Sequence, residues 1–253
     1  MLPESSPVLI LSPRHTEDSQ ALWRAALAAG WHIERAINWK APSVDAGREV
    51  AIYSEPILAR IVAEVYKLQL LEPSSDWLVR LEYEWTKRKI VGGSLGQYLT
   101  RSEKLFLKPP DDKLFPARVY EPSDLIPGAD ILSPDTNILA SEPVRWEVEY
   151  RCFVADGKVV TASPYWRQGK LAQNTAGEWV ASPGELEEAV MFAEDLIEKS
   201  KAALPQVVVL DVGKIEGKGW AAVESNACWA SGLYGCDPNV VLSVIKRAAI
   251  PIR

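Results

Sequence analysis

The sequence has little of several residue types that common kinds of site require. It contains only two histidines, His15 and His32, which are too few for a typical zinc site and poorly placed for a histidine-based hydrolase. Its cysteines are Cys152, Cys228 and Cys236, an odd number at spacings that no metal motif uses. We therefore expect reduced thiols and a cytoplasmic protein.

Long apolar runs and a surplus of positive charge are also missing. No stretch approaches the roughly 18 apolar residues that a membrane span needs, and the start, MLPESSPVLILSP, does not resemble a signal peptide. Lys and Arg number 28 against 34 Asp and Glu, which gives a formal net charge of −6. This balance argues against non-specific binding to nucleic acid or to an anionic membrane.

What is present at the N-terminal end is an alternation of strands and helices. Residues 7–12 predict a buried strand, and the following helix has candidate N-caps at Thr16, Asp18 and Ser19 and a candidate C-cap at Gly30. The loop between them, LSPRHTEDS, is not a glycine-rich phosphate loop, which disfavours a plain Rossmann oxidoreductase. A strand, a loop and a helix in this order indicate an α/β layer.

A second strand over 50–55 leads into a helix with Pro56 as its first residue. The apolar stripe predicted for this helix is Ile57, Ile61, Val65 and Leu68. Residues 77–91 predict a further helix. We place the end of the first domain, residues 1–95, after it, and residues 96–253 form the second domain.

The second domain begins with a predicted strand over 104–109. Another short strand, 138–141, precedes a hairpin whose turn is Asp156-Gly157, a pair typical of a primed turn. Residues 185–204 predict the clearest helix, acidic at its start and basic at its end. Two strands, 207–212 and 219–226, flank a glycine-rich connection.

Oxygen-bearing side chains stand on this last pair of strands. Glu224 and Asn226 are two residues apart and therefore share one face of their strand. Asp211 precedes Glu224 by 13 residues, so the two can lie opposite each other in an antiparallel hairpin. Three such ligands favour Mg²⁺ held together with nucleotide phosphates. The alternative for Glu224 and Asn226 is a solvated strand end that leads into a turn.

Together with a strand that ends in Lys-Pro and a glutamate-rich middle segment, this pattern resembles the ATP-grasp superfamily. The resemblance covers roughly residues 89–240. The segments FLKPPDDKLF, EPVRWEVEYRCFV and LDVGK…ESNACWASGLYG resemble a poorly characterised branch found in bacteria and phages. It implies an α/β (α+β) fold in which two α+β subdomains clamp ATP, preceded by a small Rossmann-like domain.

The resemblance also implies roles for residues of the ATP site. Lys108 would contact the phosphates and Lys113 would lie in the flexible loop over them; the alternative for each is a solvated surface lysine. Glu142 would begin the hinge that holds adenine, with the backbone around Val144 reading the base. Glu149, seven residues after Glu142, would bind the ribose.

The cations expected at the reacting phosphate are less well determined. Arg151 shares a strand face with Glu149 and could reach the triphosphate, although a Glu–Arg pair across strands is the alternative. Arg167 is a further catalytic candidate beside Lys108 and Arg151, and with Lys170 it could equally belong to a charged loop that has no function. Better-known ligases often carry arginine where this chain has Val209.

Less certain candidates follow the metal-binding pattern. Ser231 and Gly232 could supply small groups near the reacting carboxylate. Trp229 and Tyr234 either form the wall of a pocket or pack in the core. Lys214, like Arg151 and Arg167, is an option for the cation that replaces the missing arginine. Cys228 is a buried thiol in preference to a nucleophile.

The function implied is an ATP- and Mg²⁺-dependent carboxylate–amine ligase that acts through an acyl phosphate. Its substrates would be a small molecule or peptide with a carboxylate, and an amine. Neither nucleic acid nor membrane is expected as a partner. The oligomeric state is left open, with a homodimer as one option. The alternatives are an ATP-binding module without ligase activity and a phosphotransferase.

Overall fold

We describe a computed structural model of the chain, over residues 6–110, 114–200 and 202–252. Its strands in chain order are β1 Val8–Leu11, β2 His32–Arg35, β3 Val50–Tyr53, β4 Leu68–Leu70, β5 Ile90–Ser94, β6 Leu105–Lys108, β7 Arg118–Tyr120, β8 Asn137–Ser141, β9 Trp146–Ala155, β10 Lys158–Arg167, β11 Lys170–Leu171, β12 Val207–Ile215, β13 Gly219–Asn226 and β14 Ala249–Pro251. Its helices are α1 Glu17–Ala28, α2 Pro56–Val65, α3 Trp77–Arg80, α4 Tyr83–Thr86, α5 Leu95–Leu99, α6 Glu185–Lys199 and α7 Pro238–Ile245.

The N-terminal part is a parallel sheet with the strand order β2-β1-β3. Helix α1 begins with a capping box, since Thr16 and Ser19 bond to each other's backbone N–H groups as the sequence predicts. All four residues of β1 are buried. Helix α7, near the C-terminus, packs into the same apolar core, so this core is built from both ends of the chain.

The remaining strands form two larger antiparallel sheets. A four-stranded sheet has the order β5-β8-β6-β7, and a five-stranded sheet has the order β11-β10-β9-β12-β13. The turn between β9 and β10 has positive φ at both Asp156 and Gly157, which confirms the predicted primed turn. The connection 142–145 joins β8 of one sheet to β9 of the other.

Alternation along β9 and β12 gives the five-stranded sheet two different faces. Tyr150 and Leu210 pack with α6 in one core, whereas Phe153 and Val209 pack with the N-terminal sheet and α7 in another. The side chains of Glu149 and Arg151 share the second of these faces because they lie an even number of residues from Phe153. The sequence has therefore placed its charged pair toward the interior between the sheets.

Two predicted elements differ from the structure. Helix α2 buries Leu58, Ala59, Val62 and Ala63, whereas Ile57 and Val65 are exposed. The stripe predicted for it was thus wrong by one position, because the two alanines let that face approach the core closely. The predicted helix over 77–91 is also wrong: extended backbone at Leu81 and Glu82 divides it into α3 and α4, and β5 follows.

Two strand pairs cross the domain boundary expected at residue 95. Strand β5, before the boundary, pairs with β8, and β14 at the C-terminus pairs with β4. Each side of residue 95 therefore shares a sheet with the other. Among the described residues, no helix has the length and apolar character that crossing a bilayer requires.

Gly213 of β12 provides the first testable prediction. A Cβ atom there would lie 2.7 Å from Trp146 Cε3 and 2.9 Å from the Val148 carbonyl oxygen, and that backbone atom cannot move aside easily. We expect Gly213→Ala to lower the free energy of unfolding by about 1–3 kcal/mol through overpacking. The control is Gly92→Ala in β5, where the nearest atom is 3.9 Å from the added Cβ. Equal urea midpoints for the two variants would contradict this account.

Candidate active site

A cavity of about 1220 Å³ lies between the N-terminal part and the two antiparallel sheets. Its lining includes Lys108 at the end of β6, and Glu224 and Asn226 at the end of β13. The N-terminal part contributes Asp18 at the start of α1 and Tyr53 at the end of β3. Strand ends from three sheets thus direct polar side chains toward one space.

The hairpin of β12 and β13 brings the predicted metal ligands together. Asp211 pairs directly with Glu224, which confirms the predicted register. Asn226 shares the face of Glu224, and its Nδ2 donates to Glu224 Oε1 at 2.9 Å. The two strands therefore bring two carboxylates and one amide oxygen to a single corner of the cavity.

Lys108 reaches this corner from the opposite sheet. Its Nζ donates to Glu224 Oε2 at 2.5 Å, and the side chains of Lys108 and Glu224 are only 19% and 30% exposed. Burial by itself would raise the pKa of Glu224, but Lys108, Asn226 and Arg151 outweigh it and lower that pKa to about 2. Glu224 is thus a carboxylate at any physiological pH.

Arg151 and Asp211 form a buried ion pair beneath this corner. The guanidinium donates from Nε to Asp211 Oδ1 at 3.0 Å and from Nη2 to Oδ2 at 2.6 Å. The two residues are register partners on β9 and β12 and therefore lie side by side. Complete burial raises the pKa of Asp211 to about 6 despite the opposing effect of Arg151, so the carboxylate is mostly ionised at pH 7.

Further contacts fix the Arg151 side chain. Its Nη1 donates to the Gly232 carbonyl oxygen at 2.9 Å. The guanidinium carbon lies 4.7 Å from the ring centre of Tyr234 and 5.4 Å from that of Tyr165. The two rings are stacked on each other with their centres 5.2 Å apart. Arg151 is therefore a fixed cation next to the carboxylate corner, and it occupies the role that Val209 cannot fill.

The residue types at this corner suit a magnesium ion. Glu224 and Asn226 line the cavity and offer hard oxygen atoms, and the nearby cations are ones that a phosphate could engage instead of the carboxylates. Asp211 is fully buried, and both of its oxygens accept from Arg151. Within the described residues, no cluster of three or more His, Cys, Asp and Glu side chains is arranged to hold a metal, so a three-ligand set depends on Asn226.

Glu149 lies two residues before Arg151 and on the same face of β9. Its Oε2 accepts from the Tyr165 hydroxyl at 2.6 Å, and the side chain is nearly buried. Burial raises its pKa to about 7, although the Tyr165 hydrogen bond opposes the shift. The cross-strand Glu149–Arg151 ion pair that the sequence left open is not formed, because Arg151 bonds to Asp211.

The predicted hinge residues lie in the connection between the two antiparallel sheets. Glu142 is exposed and accepts at 2.9 Å from the backbone N–H of Lys89; Val144, two residues on, is half-buried. A segment with no strand partner that joins two sheets suits a hinge, and the contact with adenine stays a prediction. Lys113 lies outside the described residues.

Arg167 is not brought to the cavity. Its guanidinium forms two hydrogen bonds with Glu185 at the start of α6, at 3.1 and 2.5 Å, and the Tyr150 hydroxyl donates to the same carboxylate at 2.8 Å. Tyr150 packs on the α6 face of the sheet. Arg167 therefore ties the sheet to α6 on the face opposite Arg151, a placement that the sequence did not predict.

The other candidate cations also lie away from the carboxylates. Lys214 forms an ion pair with Glu188 of α6 at 3.6 Å, so it shares the α6 face with Arg167. Lys170 is exposed on β11. Of the three options for the cation near Asp211, only Arg151 contacts it.

We expect Arg167→Gln to leave nucleotide turnover unchanged while it lowers the free energy of unfolding by about 1 kcal/mol, because only a partly exposed ion pair is lost. Urea unfolding and phosphate release would be measured on the same preparation. Arg145→Gln, which removes an exposed pair with Glu216, is the matched control and should change neither quantity. Loss of turnover without loss of stability would contradict this placement of Arg167.

Sequence reasoning missed the buried Arg88. Its Nη1 donates to the carbonyl oxygens of Ala222 at 2.7 Å and Thr86 at 3.1 Å, and the guanidinium carbon lies 4.9 Å from the centre of the Trp146 ring. Burial lowers its pKa to about 10. Arg88 fixes the backbone of β13 just before Glu224. No local pattern reveals this role, since the residue stands in a run of three basic residues that resembles a solvated surface.

The residues after β13 have structural contacts. Trp229 is buried, and its indole N–H donates to the Leu71 carbonyl oxygen at 3.0 Å, so of the two alternatives it packs. Ser231 donates from Oγ to the Ala227 carbonyl oxygen. All three cysteines are free and buried, and burial raises the pKa of Cys228 to about 12. The expectation of an inert thiol at Cys228 fits this environment.

Comparison with protein families gives one match. A model described as an ATP-grasp domain, family 2 of one clade of that superfamily, matches residues 85–244, which is more than half of the chain. The match includes β5 to β13, and with them every residue around the carboxylate corner except those from the N-terminal part. No curated protein matches the chain significantly.

Solved structures share the fold at low sequence identity. D-cycloserine synthetase DcsG aligns with a TM-score of 0.60 and 12% identity, over 95% of this chain and 99% of that one. An ATP-grasp RimK domain protein from Sphaerobacter thermophilus gives 0.55 and 16% over 95% and 99%. The ATP-grasp ligase PsnB, complexed with a minimal precursor, gives 0.52 and 10% over 96% and 99%. These similarities confirm the mixed α/β ATP-grasp fold.

Proposed function

Since the chain belongs to this family of ATP-grasp domains, we propose that it is an ATP-dependent ligase that joins a carboxylate to an amine through an acyl phosphate. The proposal extends to a small Rossmann-like domain, the parallel sheet β2-β1-β3 with its helices, which precedes the ATP-binding part. A small molecule or a peptide would supply the carboxylate. The solved relatives include one that acts in cycloserine synthesis and one that holds a peptide precursor, which supports both substrate sizes.

One observation carries the proposal: Lys108 from one sheet meets Glu224 and Asn226 from another across a large cavity. Two carboxylates and two cations are gathered there, although isolated surface pairs would have been far cheaper to solvate. A triphosphate with its metal ion replaces these partners charge for charge: phosphate oxygens can take Lys108 and Arg151, and the metal can take the carboxylates.

The chain's own groups have distinct tasks in the first step. Glu224 and Asn226, with Asp211, would hold Mg²⁺, which when bound neutralises charge on the phosphates. Lys108 and Arg151 offset the charge of the γ-phosphoryl group as a substrate carboxylate attacks its phosphorus. A new O–P bond forms, the bond to the ADP oxygen breaks, and an acyl phosphate results. Positioning and electrostatics supply the acceleration, and no side-chain nucleophile is needed.

Glu142, Val144 and Glu149 complete the proposed nucleotide site. The backbone around Val144 would read the adenine edge, and Glu149 would accept a hydrogen bond from the ribose in exchange for the one from Tyr165. Lys113 would lie over the phosphates. Binding of the base in the connection between β8 and β9 would place the triphosphate toward the strand ends that bear Lys108 and Glu224.

An ATP-binding module without ligase activity is the second candidate. It is favoured by the Asp211–Arg151 pair, in which every carboxylate oxygen is already engaged. The two candidates differ in turnover. We would measure phosphate release with Mg·ATP, hydroxylamine and a panel of the twenty amino acids and short peptides. Hydroxamate formation with one of these acids supports the ligase, and nucleotide binding without hydroxamate supports the module.

A further inference from the structure

A second cavity, of about 630 Å³, lies on the other side of the start of α1. Its lining includes His15 and Gln20 of the N-terminal part, and Trp179 and Leu233 of the C-terminal part. Asp18 lines both this cavity and the larger one described above. The Asp18 side chain therefore stands where two separate approaches to the site meet.

The carboxyl group of Asp18 comes close to the reacting corner. A Cβ atom on Gly232 would lie only 3.2 Å from Asp18 Oδ2, and the carbonyl oxygen of the same glycine accepts from Arg151. Tyr53 stands beside Asp18, with its hydroxyl donating to the Ser231 carbonyl oxygen at 3.0 Å. Asp18 is thus one backbone residue away from the Arg151–Asp211 pair.

The charged and titratable groups that face Asp18 leave it without a dedicated ion partner. Burial raises its pKa, while the backbone N–H of Leu233, Arg151 and Tyr53 oppose the shift and Glu17 adds to it. Arg151 is already bonded to Asp211 through two hydrogen bonds. A half-buried carboxylate of this kind is suited to binding a cationic group and to accepting a proton from it.

The two cavities differ in which substrate they suit. A carboxylate and a triphosphate need fixed cations, and Lys108 supplies one in the larger cavity. The second cavity has the Trp179 ring and the Leu233 side chain as apolar walls and a carboxylate at its inner end. Apolar walls with a carboxylate at the end favour the ammonium of an amine over an anion.

On the basis of the proposed ligase function, we propose that the second cavity admits the amine substrate and that Asp18 binds its ammonium group and takes the proton. The deprotonated nitrogen then attacks the acyl phosphate formed in the larger cavity. The C–N bond forms, and the carbon–oxygen bond to the phosphoryl group breaks with its electron pair going to the leaving phosphate. That phosphate takes the second nitrogen proton, and Asp18 releases the first to water.

The experiment compares Asp18→Asn with the wild-type protein and with Glu34→Gln, a control at an exposed residue of β2 that lines neither cavity. Amides of the twenty amino acids, which carry an ammonium and no carboxylate, are titrated by calorimetry into protein that holds Mg·AMP-PNP. We expect at least one amide to bind the wild-type and Glu34→Gln proteins, and to bind Asp18→Asn at least tenfold more weakly. If no amide binds the wild-type protein, or if Asp18→Asn binds as tightly, the inference is overturned.

A second readout separates this inference from the proposed function. Hydroxylamine is mostly uncharged at neutral pH and needs no proton acceptor, so Asp18→Asn should keep hydroxamate formation while it loses amide formation with the cationic amine. The lost rate should return as the pH rises and the amine deprotonates in solution. Loss of both reactions would indicate a structural role and overturn the inference. If the wild-type protein forms no hydroxamate with any acid, the ligase proposal fails, and the titration alone still decides whether Asp18 binds amines.

Discussion

Glu224→Gln is expected to lower metal-dependent nucleotide turnover by about 10²-fold or more, because a carboxylate that would hold the metal ion is replaced by a neutral amide. The fold should survive, since the side chain is 30% exposed and glutamine has the same shape. Phosphate release at saturating Mg·ATP would measure the loss. Circular dichroism and the melting temperature would show that the variant is folded.

Glu216→Gln is the matched control for this substitution. Glu216 stands in the turn between the same two strands and forms only an exposed pair with Arg145 at 3.5 Å. Its variant should turn over nucleotide like the wild-type protein. Full activity in Glu224→Gln would remove Glu224 from the reacting corner, and with it the assignment of Asn226.

The second large effect is expected at the Arg151–Asp211 pair, where stability and turnover should respond differently. Arg151→Met leaves the Asp211 charge buried without a partner, which should cost about 3–5 kcal/mol of unfolding free energy. Asp211→Leu should cost about the same for the opposite charge. Each single variant is therefore expected to melt roughly 10 °C lower than the wild-type protein.

The double variant Arg151→Met/Asp211→Leu tests the reason for this loss. Both charges are absent, so most of the stability should return, as in other buried pairs replaced by apolar residues. Turnover should stay lost in all three variants, because the fixed cation and the buried carboxylate are both needed at the phosphates. A double variant as unstable as the sum of the singles would contradict the coupling, and an active double variant would contradict the role in turnover.

The sequence predicted the carboxylate corner well because the relevant rules are local. Two residues apart on a strand means one face, and a short turn fixes which residues of a hairpin lie opposite each other. The pairing of Asp211 with Glu224 follows from these rules alone. The three motifs, in order and at their spacing, also supported the resemblance to the ATP-grasp superfamily, and the family match and the shared fold confirm it.

The position of Arg167 shows where such local rules stop. Ser163 pairs with Arg151, so strict alternation would put Tyr165 and Arg167 on the same face as Arg151. A bulge between Pro164 and Trp166 interrupts the alternation, and Arg167 pairs with Val148 on the α6 face. Nothing in the sequence fixes the bulge at that step.

Other misses come from tertiary contacts that a linear pattern does not contain. Helix α2 offered two apolar stripes, and the small Ala59 and Ala63 decided between them only through close packing on the core. Arg88 gains its role from carbonyl groups more than 130 residues away in the chain. Asp18 gains its role from Gly232, which the C-terminal part brings to the start of α1. Local rules therefore predict the hairpin and its ligands, whereas the surroundings of the site require the complete fold.

The most direct test is a crystal structure of the protein with AMP-PNP and Mn²⁺ in place of Mg²⁺, in which anomalous scattering locates the metal. The account predicts an anomalous peak at about 2.1 Å from an oxygen of Glu224 and from Asn226 Oδ1, with Lys108 Nζ bonded to a phosphate oxygen. A nucleotide bound elsewhere, or a metal coordinated by neither Glu224 nor Asn226, would contradict it.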